Sequence, residues 1–493
     1  MSLGQLVLAG NFITALVVHR DRAERALRAL RSPALLVFLS FYALHALGLL
    51  WSADTGWGLD LCRILAPVVV FSVILAASPP LDEGELKMLL LLGAFSTIAS
   101  TLTCLALRPA GAAPDDYRAL SLFISHIRLA LLLCMSLFVL VAYFPKDALP
   151  RVGHVLGISW CVYFLDRLES LQGIAIVSFV GIGVLWRSSA SGTVRMRRAI
   201  RGAMVLALVA AGLGLTRWVR EFHRVDPIGR LDAKSAGGEP YFHDLERPGH
   251  ENGHAVWVNV AYHELRRGWS RRSNVPFDST DSKGHRLRYT LVRYMASLGL
   301  RKDSLGILAL SVEDVRRIEA GVPSVMRGRR GALRDRVEEI LFELDEYRST
   351  GNPSGYSIAM RLEFWKTGWA IARREWLHGV GTGDTQLAFD REYERRGSLL
   401  QPQWRLRAHN EYLTLWISFG AFGLLWSLFA WTWPAWRSGA LQRPLFMAWA
   451  ITFAISCLSD DTIETQAGAT FFAFFYCLFV FSVGALRTKA ETV

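Results

Sequence analysis

Residues 409–431 read HNEYLTLWISFGAFGLLWSLFAW, and this stretch decides the type of fold. From residue 412 onwards it is apolar and long enough for a helix to cross a bilayer, which takes about 20 residues. His409 therefore lies at or just outside the membrane surface. Gly420 and Gly423, about one helical turn apart, allow another helix or a lipid to approach closely. The stretch predicts a membrane helix with a histidine and an asparagine at its polar end.

Similar apolar blocks recur along the 493-residue chain, which is 52% hydrophobic with a mean hydropathy of +0.26. That composition is too apolar for an ordinary soluble enzyme. The blocks are 3–18, 33–51, 61–77, 88–107, 123–144, 153–165, 171–186, 200–216, 411–432, 442–458 and 469–486. They predict an all-α polytopic membrane protein with about eleven (ten to twelve) transmembrane helices.

The net charge of +12 comes mostly from arginines in short loops. Four clusters lie within 20–31, 187–201, 437–443 and the tail from 487. Threading eleven spans places all four clusters on one side, which the preference for basic cytoplasmic loops assigns to the cytoplasm. The opposite, periplasmic side then receives the N-terminus, the region 217–410 and the short loops 52–60, 108–122, 166–170 and 459–468. The basic charge is thus attributed to membrane orientation, and no nucleic-acid partner is expected.

Three parts follow from this threading. Residues 1–216 form an N-terminal bundle of about eight spans. Residues 217–410 form a large, mainly helical periplasmic region, in which 310–348 is expected to be helical and an arginine-bearing helix covers 357–377. Residues 411–493 form a C-terminal bundle of about three spans and a cytoplasmic tail.

Two motifs and the cysteines have plain structural interpretations. The sequence of residues 250–254 matches the zinc-protease pattern, but Gly249, Asn252 and Gly253 favour a turn over the helix that zinc binding needs. The glycines of 379–383 are expected to form a turn that ends the preceding helix, with a phosphate cradle as the less favoured alternative. The six cysteines all fall in or at the ends of the apolar blocks and are interpreted as buried apolar residues. No metal and no cofactor are expected.

Arginines at the periplasmic ends of spans are the functional candidates, because an arginine at membrane depth is costly unless it is paired or faces a cavity. Arg128, Arg167 and Arg361 are of this kind, and together with His409 they favour a site for a large anion. The alternative for each is contact with phospholipid head groups. The polar loop 459–466 supplies a catalytic carboxylate, holds the arginines by ion pairs or is simply solvated. The predicted catalytic residues are His409, Arg361 and Arg167, and the predicted substrate-binding residues are Arg128, Asn410, Arg405, Arg407, Asp460 and Glu464.

The chain resembles the bacterial O-antigen ligases and their relatives, the O-antigen polymerases and protein O-oligosaccharyltransferases. His409-Asn410, followed after nine residues by Gly420-x-x-Gly423, matches the histidine motif of that family. Arg361 with the glycine turn 379–384 matches its arginine helix, and Arg167-x-x-x-Leu171 matches a short arginine motif. The chain departs from the common pattern in its unusually large periplasmic region and in an apparently missing first span.

The resemblance implies a GT-C-like enzyme of the bacterial inner membrane that transfers a glycan at the periplasmic face. The donor is a glycan on undecaprenyl pyrophosphate, and the acceptor is a sugar hydroxyl of lipid A–core. In the relatives the acceptor is a growing glycan or a protein. His409 is then the general base, the arginines hold the pyrophosphate, and no metal takes part. A lipid or anion transporter is the less favoured alternative, because the sequence lacks two related halves with interrupted helices.

Overall fold

A computed structural model of the chain describes residues 3–18, 20–109, 117–190, 193–229, 231–247, 249–329 and 331–483. The N-terminal part consists of helices joined by short loops. They are α1 (Leu3–Val18), α2 (Arg20–Leu30), α3 (Pro33–Gly48), α4 (Thr55–Ala77), α5 (Glu83–Ala106), α6 (His126–Ala142), α7 (Ala148–Arg167), α8 (Leu171–Ser189) and α9 (Val194–Phe222).

The middle region is also mainly helical. It contains the hairpin of β1 (His250–Glu251) and β2 (His254–Ala255), then α10 (Tyr262–Trp269), α11 (Leu287–Ser297), α12 (Ser304–Leu308), α13 (Val312–Glu319), α14 (Ala332–Thr350), α15 (Ser357–Arg374) and α16 (Thr385–Arg395). The C-terminal part consists of α17 (Glu411–Arg437), α18 (Pro444–Ser459) and α19 (Gln466–Phe481). Among the residues that the structure describes, this hairpin is the one β-sheet, which agrees with the predicted all-α class.

Seven helices of the described chain are long and apolar enough to cross a membrane, judged by length and composition. They are α3 with the turn after it, α4, α5, α7, α8, α9 and α17. Four shorter apolar helices, α1, α6, α18 and α19, fall on the remaining predicted spans. Every predicted span therefore coincides with an apolar helix, and the number of helices that cross the membrane stays a prediction.

Contacts between loops distinguish the two ends of the helical bundle. At one end, Arg128 at the start of α6 pairs with Asp460 in the loop before α19. Glu169, in the loop after α7, pairs there with Arg327 of the middle region at 3.3 Å. The start of α1 lies at the same end, because Gln5 donates to the Thr470 hydroxyl of α19 at 2.7 Å. We call this end the site end.

The opposite end joins the loop after α4 to the end of α19. The N–H of Leu81 donates to the Ser482 carbonyl at 2.7 Å. Arg443, which belongs to one of the predicted cytoplasmic arginine clusters, pairs with Glu83 at 2.8 Å. At each end of the helical bundle, the loops that contact one another are thus loops that the eleven-span threading assigns to the same side of the membrane.

The middle region has a hydrophobic core of its own, built from side chains between Val256 and Val322, which we call the insert core. A second core joins α15, α16 and the start of α17, and it includes Phe364, Phe389 and Ile417. The expectation that 310–348 is helical is wrong for the described residues after Glu319 and before α14. Helix α13 begins with a capping box at Ser311 and ends at Glu319, because Gly321 adopts a left-handed conformation (φ 75°) and Pro323 follows.

The zinc-protease pattern is a hairpin, as the turn residues predicted. Asn252 and Gly253 have φ angles of 51° and 88°, which form the tight turn between β1 and β2. The two histidines therefore do not share a helix face, and His250 bonds the carbonyl of Phe222 instead. No three His, Cys, Asp or Glu side chains of the described residues are grouped to hold a metal ion. The six cysteines are free and buried, as expected.

Candidate active site

The helix that begins beside His409 is broken at Gly420. Gly420 has φ 68° and ψ −175°, so the backbone leaves the helical path inside α17. The carbonyls freed there accept hydrogen bonds from the segment after α15: Val380 donates to Ile417 at 2.8 Å, and Gly381 donates to Ser418 at 2.9 Å. The break therefore fastens α15 and its following turn to the membrane helix.

Glycine is required on both sides of this joint. A Cβ at Gly420 would clash with the carbonyl oxygen of Leu377, and a Cβ at Gly379 would clash with the backbone between Ser418 and Phe419. Both glycines also have left-handed φ angles, which side chains disfavour. The predicted close approach at Gly420 is thus present, and the partner is an irregular backbone segment.

The glycine turn has no N–H left for a phosphate. Each consecutive N–H from 379 to 383 donates to the protein: to the carbonyls of Glu375, Ile417, Ser418 and Gly48 and to the Ser52 hydroxyl. Asp384 accepts the N–H groups of Ala53 and Asp54 at 2.9 and 2.8 Å. The interpretation as a turn is confirmed, and the turn ties α15 to the loop between α3 and α4.

His409 is held in an unusual backbone conformation directly before α17. Its φ of 46° lies in the left-handed region, which non-glycine residues rarely adopt. Asn410 caps the helix: its side-chain oxygen accepts the Leu413 N–H at 3.0 Å, and its amide donates to the Leu458 carbonyl at 3.1 Å. The backbone N–H of Asn410 donates to Asp461 at 3.0 Å. Asn410, predicted to bind substrate, thus has its side chain committed to capping and orienting the chain.

The imidazole of His409 faces a carboxylate that is itself paired. Nδ1 of His409 lies 3.3 Å from Oδ1 of Asp460, and Oδ2 of Asp460 pairs with the guanidinium of Arg128. Asp460 and Arg128 are buried, whereas 34% of the His409 side chain is exposed. The three side chains form a chain from the protein interior to an accessible imidazole.

Arg128 is engaged by the protein through its other nitrogens as well. Nε donates to the Thr465 hydroxyl at 3.2 Å, and Nη2 donates to the Asp461 carbonyl at 3.3 Å. These contacts bind Arg128 to the loop 460–465, because a buried guanidinium needs partners where it lies. Its predicted role in binding a substrate anion stays a prediction.

Cations decide the protonation of Asp460. Burial raises its pKa, but the hydrogen bond to His409 and the charges of Arg128, His409 and Arg361 outweigh that effect, so the pKa lies below the ordinary aspartate value. Asp460 is therefore ionised at neutral pH and can accept a hydrogen bond from an N–H at Nδ1 of His409.

Arg361 approaches this cluster from α15. It is partly buried, and its charge acts on Asp460. Phe364, three residues further and so on the same helix face, packs its ring 5.7 Å from the His409 ring. Arg361 and His409, which are 48 residues apart in sequence, thus belong to one site.

Arg407 and Glu464, both predicted to bind substrate, pair with each other. Burial raises the pKa of Glu464 to about 7 although the charge of Arg407 lowers it. The Arg407 guanidinium also lies over the Trp57 ring, 5.1 Å from its centre. The pair joins the residues before His409 to the loop of Asp460.

The remaining two predicted arginines have no described hydrogen bond or ion pair with this cluster. Arg405 donates to the Leu400 carbonyl at 3.2 Å and so closes a local turn. Arg167 is exposed in the last turn of α7, and no hydrogen bond or ion pair found among the described residues joins it to His409 or Asp460. Its placement on the donor remains a prediction.

Asp461 and Phe364 are parts of the site that sequence reasoning did not select. Asp461 accepts hydrogen bonds from the Asn410 N–H and, at 2.9 Å, from the Thr414 hydroxyl. The dense polarity of the loop 459–466 signalled that it was special, and of its two adjacent aspartates only Asp460 was predicted to bind substrate. Phe364 resembled the other aromatic residues of its helix.

Residues 320–428 match the family model Wzy_C, described as O-antigen ligase. The match supports assignment of the chain to the O-antigen ligase family. It confirms the resemblance on which the sequence reasoning relied, and it contains Arg361, the glycine turn, His409 and the break at Gly420. It covers less than half of the chain and leaves out Arg128, Asp460 and nearly all of the insert core. No curated protein matches the chain.

Proposed function

We propose that the protein transfers a glycan from undecaprenyl pyrophosphate to a sugar hydroxyl of lipid A–core at the periplasmic face of the bacterial inner membrane. The observation that carries the proposal is the series of paired side chains His409–Asp460–Arg128 beside Arg361, of which His409 and Arg361 lie within the residues that match the O-antigen ligase model. It provides a base for a weak nucleophile and cations for an anionic leaving group, which are the two needs of this reaction.

His409 serves as the general base through Nε2. Its Nδ1 faces the ionised Asp460 and carries the proton, so the lone pair is on Nε2 of a side chain that is 34% exposed. Asp460 holds that tautomer and stabilises the imidazolium once it forms, and Arg128 fixes Asp460. The acceptor oxygen forms a bond to the anomeric carbon, the bond from that carbon to the pyrophosphate oxygen breaks, and the hydroxyl proton goes to Nε2.

Arg361 binds the pyrophosphate of the donor in this scheme. The leaving undecaprenyl pyrophosphate keeps the bonding electron pair, and a guanidinium stabilises this charge with two parallel hydrogen bonds. Arg167, at the same end of the bundle, is the second candidate for this part. The proposed reaction uses no metal and no cofactor.

The site end is proposed to face the periplasm. Arg443, one of the predicted cytoplasmic arginines, lies at the opposite end, where it contacts Glu83. An impermeant thiol reagent tests this in spheroplasts, since the native cysteines are buried. It should label a cysteine at exposed Asn274 and miss one at exposed Ala190; the reverse pattern would place the site in the cytoplasm.

The acceptor is the part of the proposal with close competitors. O-antigen polymerases and protein O-oligosaccharyltransferases use the same kind of donor, and the insert core is a folded unit almost wholly outside the family match. The test combines purified protein and lipid-linked glycan with lipid A–core, with a second lipid-linked glycan or with an acceptor peptide. Transfer to lipid A–core alone supports the ligase, and transfer to either other acceptor replaces it. Donor that stays intact with every acceptor would reject glycan transfer.

A further inference from the structure

The helix that carries Arg361 starts without a cap from its own residues. Helix α15 begins at Ser357, one turn before Arg361, and the residue in the capping position is Tyr356, whose side chain makes no capping hydrogen bond. The first N–H groups of a helix have no partner inside it, so a buried start needs acceptors from elsewhere.

Glu343 supplies the acceptor from a different helix. It lies on α14, is 5% exposed, and its Oε2 accepts the Ile358 N–H at 2.9 Å. The negative charge of a carboxylate at this position also suits the positive end of the helix dipole. Further along the pair of helices, the Tyr347 hydroxyl donates to Glu363 at 3.3 Å, so α14 holds α15 at two levels.

We propose that Glu343 is a positioning residue for Arg361. By capping α15 from α14, Glu343 fixes the position and the ordering of the first turn of α15. That turn then positions the Arg361 guanidinium, which binds the donor pyrophosphate. This inference rests on the proposed function. It assigns a role in donor binding to α14, the helix that also carries Glu346, the buried partner of Arg247 in the segment leading to the insert core.

The variants separate capping from general stability. Glu343→Ala removes the acceptor, whereas Glu343→Gln keeps an oxygen for the Ile358 N–H. Glu346→Gln is the matched control, because Glu346 is an equally buried glutamate on the same helix that pairs with Arg247 at 2.8 Å and does not bond α15 in the described contacts. Each variant is purified in detergent, and its thermal unfolding midpoint is recorded.

Donor affinity is the first measurement. The probe is undecaprenyl pyrophosphate, and its Kd is measured for each variant. Loss of a cap corresponds to about fivefold to tenfold weaker binding for Glu343→Ala. Glu343→Gln should recover most of the affinity, and Glu346→Gln should bind like the wild type. In an Arg361→Ala background, Glu343→Ala should weaken binding no further, because its effect passes through Arg361.

Hydrogen exchange of the peptide covering 357–364 is the second measurement, and it does not depend on the proposed function. Glu343→Ala should exchange faster there than Glu346→Gln. Unchanged exchange, or the same loss of affinity with and without Arg361, would overturn the inference. If the wild type binds no undecaprenyl pyrophosphate while exchange in 357–364 responds as stated, the capping stands and the proposed donor is what fails.

Discussion

His409 Nδ1 lies 3.3 Å from one carboxylate oxygen of Asp460, whose other oxygen is paired with Arg128. This relationship places Nδ1 of the imidazole against the carboxylate, so Nε2 is the nitrogen proposed to take the acceptor proton. It joins an accessible residue before α17 to a buried ion pair between α6 and the loop before α19. The proposed catalysis depends on the pair of His409 and Asp460 more than on any single arginine.

Asp460→Asn should therefore lose roughly 10²- to 10⁴-fold in kcat, the range expected when general-base assistance is lost. The amide can donate a hydrogen bond to Nδ1, which would leave the proton of the neutral imidazole on Nε2. Donor Kd should change little. The measurement is steady-state transfer by purified protein, and a kcat within a few fold of wild type would remove Asp460 from the chemistry.

Arg361→Lys should lose most of the transfer activity while the protein still folds and inserts. A lysine keeps the charge but cannot form two parallel hydrogen bonds to a pyrophosphate. Arg373→Lys is the control, because Arg373 is exposed on the same helix and lies over Trp369. If Arg361→Lys were as active as Arg373→Lys and the wild type, a structural role or contact with lipid head groups would be favoured for Arg361.

Gly420→Ala and Gly439→Ala form a matched pair for the joint between α17 and α15. Both glycines are left-handed, with φ 68° and 76°, but a Cβ meets nothing within 4 Å at Gly439 and clashes with the Leu377 carbonyl at Gly420. Gly439→Ala should cost about 1–2 kcal/mol, and Gly420→Ala should cost roughly 3 kcal/mol or more because the joint must also open. Similar unfolding midpoints for the two variants would contradict this description of the joint.

Residue patterns predicted the helices far better than they predicted the site. Every apolar block is a helix in the structure, because a membrane helix is recognised by a continuous run of apolar residues in the sequence. The turn at 379–384 was likewise predictable from local sequence. The pairing of His409 with Asp460 and of Arg407 with Glu464 joins residues 51 and 57 positions apart, so only the fold brings them together. The break after α13 was not predicted, because 310–348 was expected to be helical and the left-handed conformation of Gly321 appears only in the structure.

Glu343 should make stability depend on pH. Burial raises its pKa to about 7, with Glu339 adding to the rise and with Arg336 and the Ile358 N–H opposing it; Tyr356 lies beside it. Since the folded pKa is above the ordinary value of 4.5, the folded protein binds this proton more tightly. The tighter proton binding stabilises the folded protein by at most about 3 kcal/mol. This stabilisation is present below pH 4.5 and is lost as the pH rises through 7.

The test of this pH dependence compares thermal unfolding midpoints between pH 5 and pH 8. The wild-type midpoint should fall with rising pH by more than that of Glu343→Gln, which has no proton to lose. Glu346→Gln should keep the wild-type slope. Identical slopes in wild type and Glu343→Gln would mean that the Glu343 carboxyl is not perturbed.

His409→Ala tests directly whether a histidine base acts without a metal. The assay uses purified protein, lipid-linked glycan and lipid A–core in detergent, with and without EDTA. The account predicts that His409→Ala lowers the rate of transfer by roughly 10²- to 10⁴-fold with donor binding kept, and that EDTA leaves the wild-type rate unchanged. Full turnover by His409→Ala, or inhibition by EDTA that a divalent ion reverses, would contradict it.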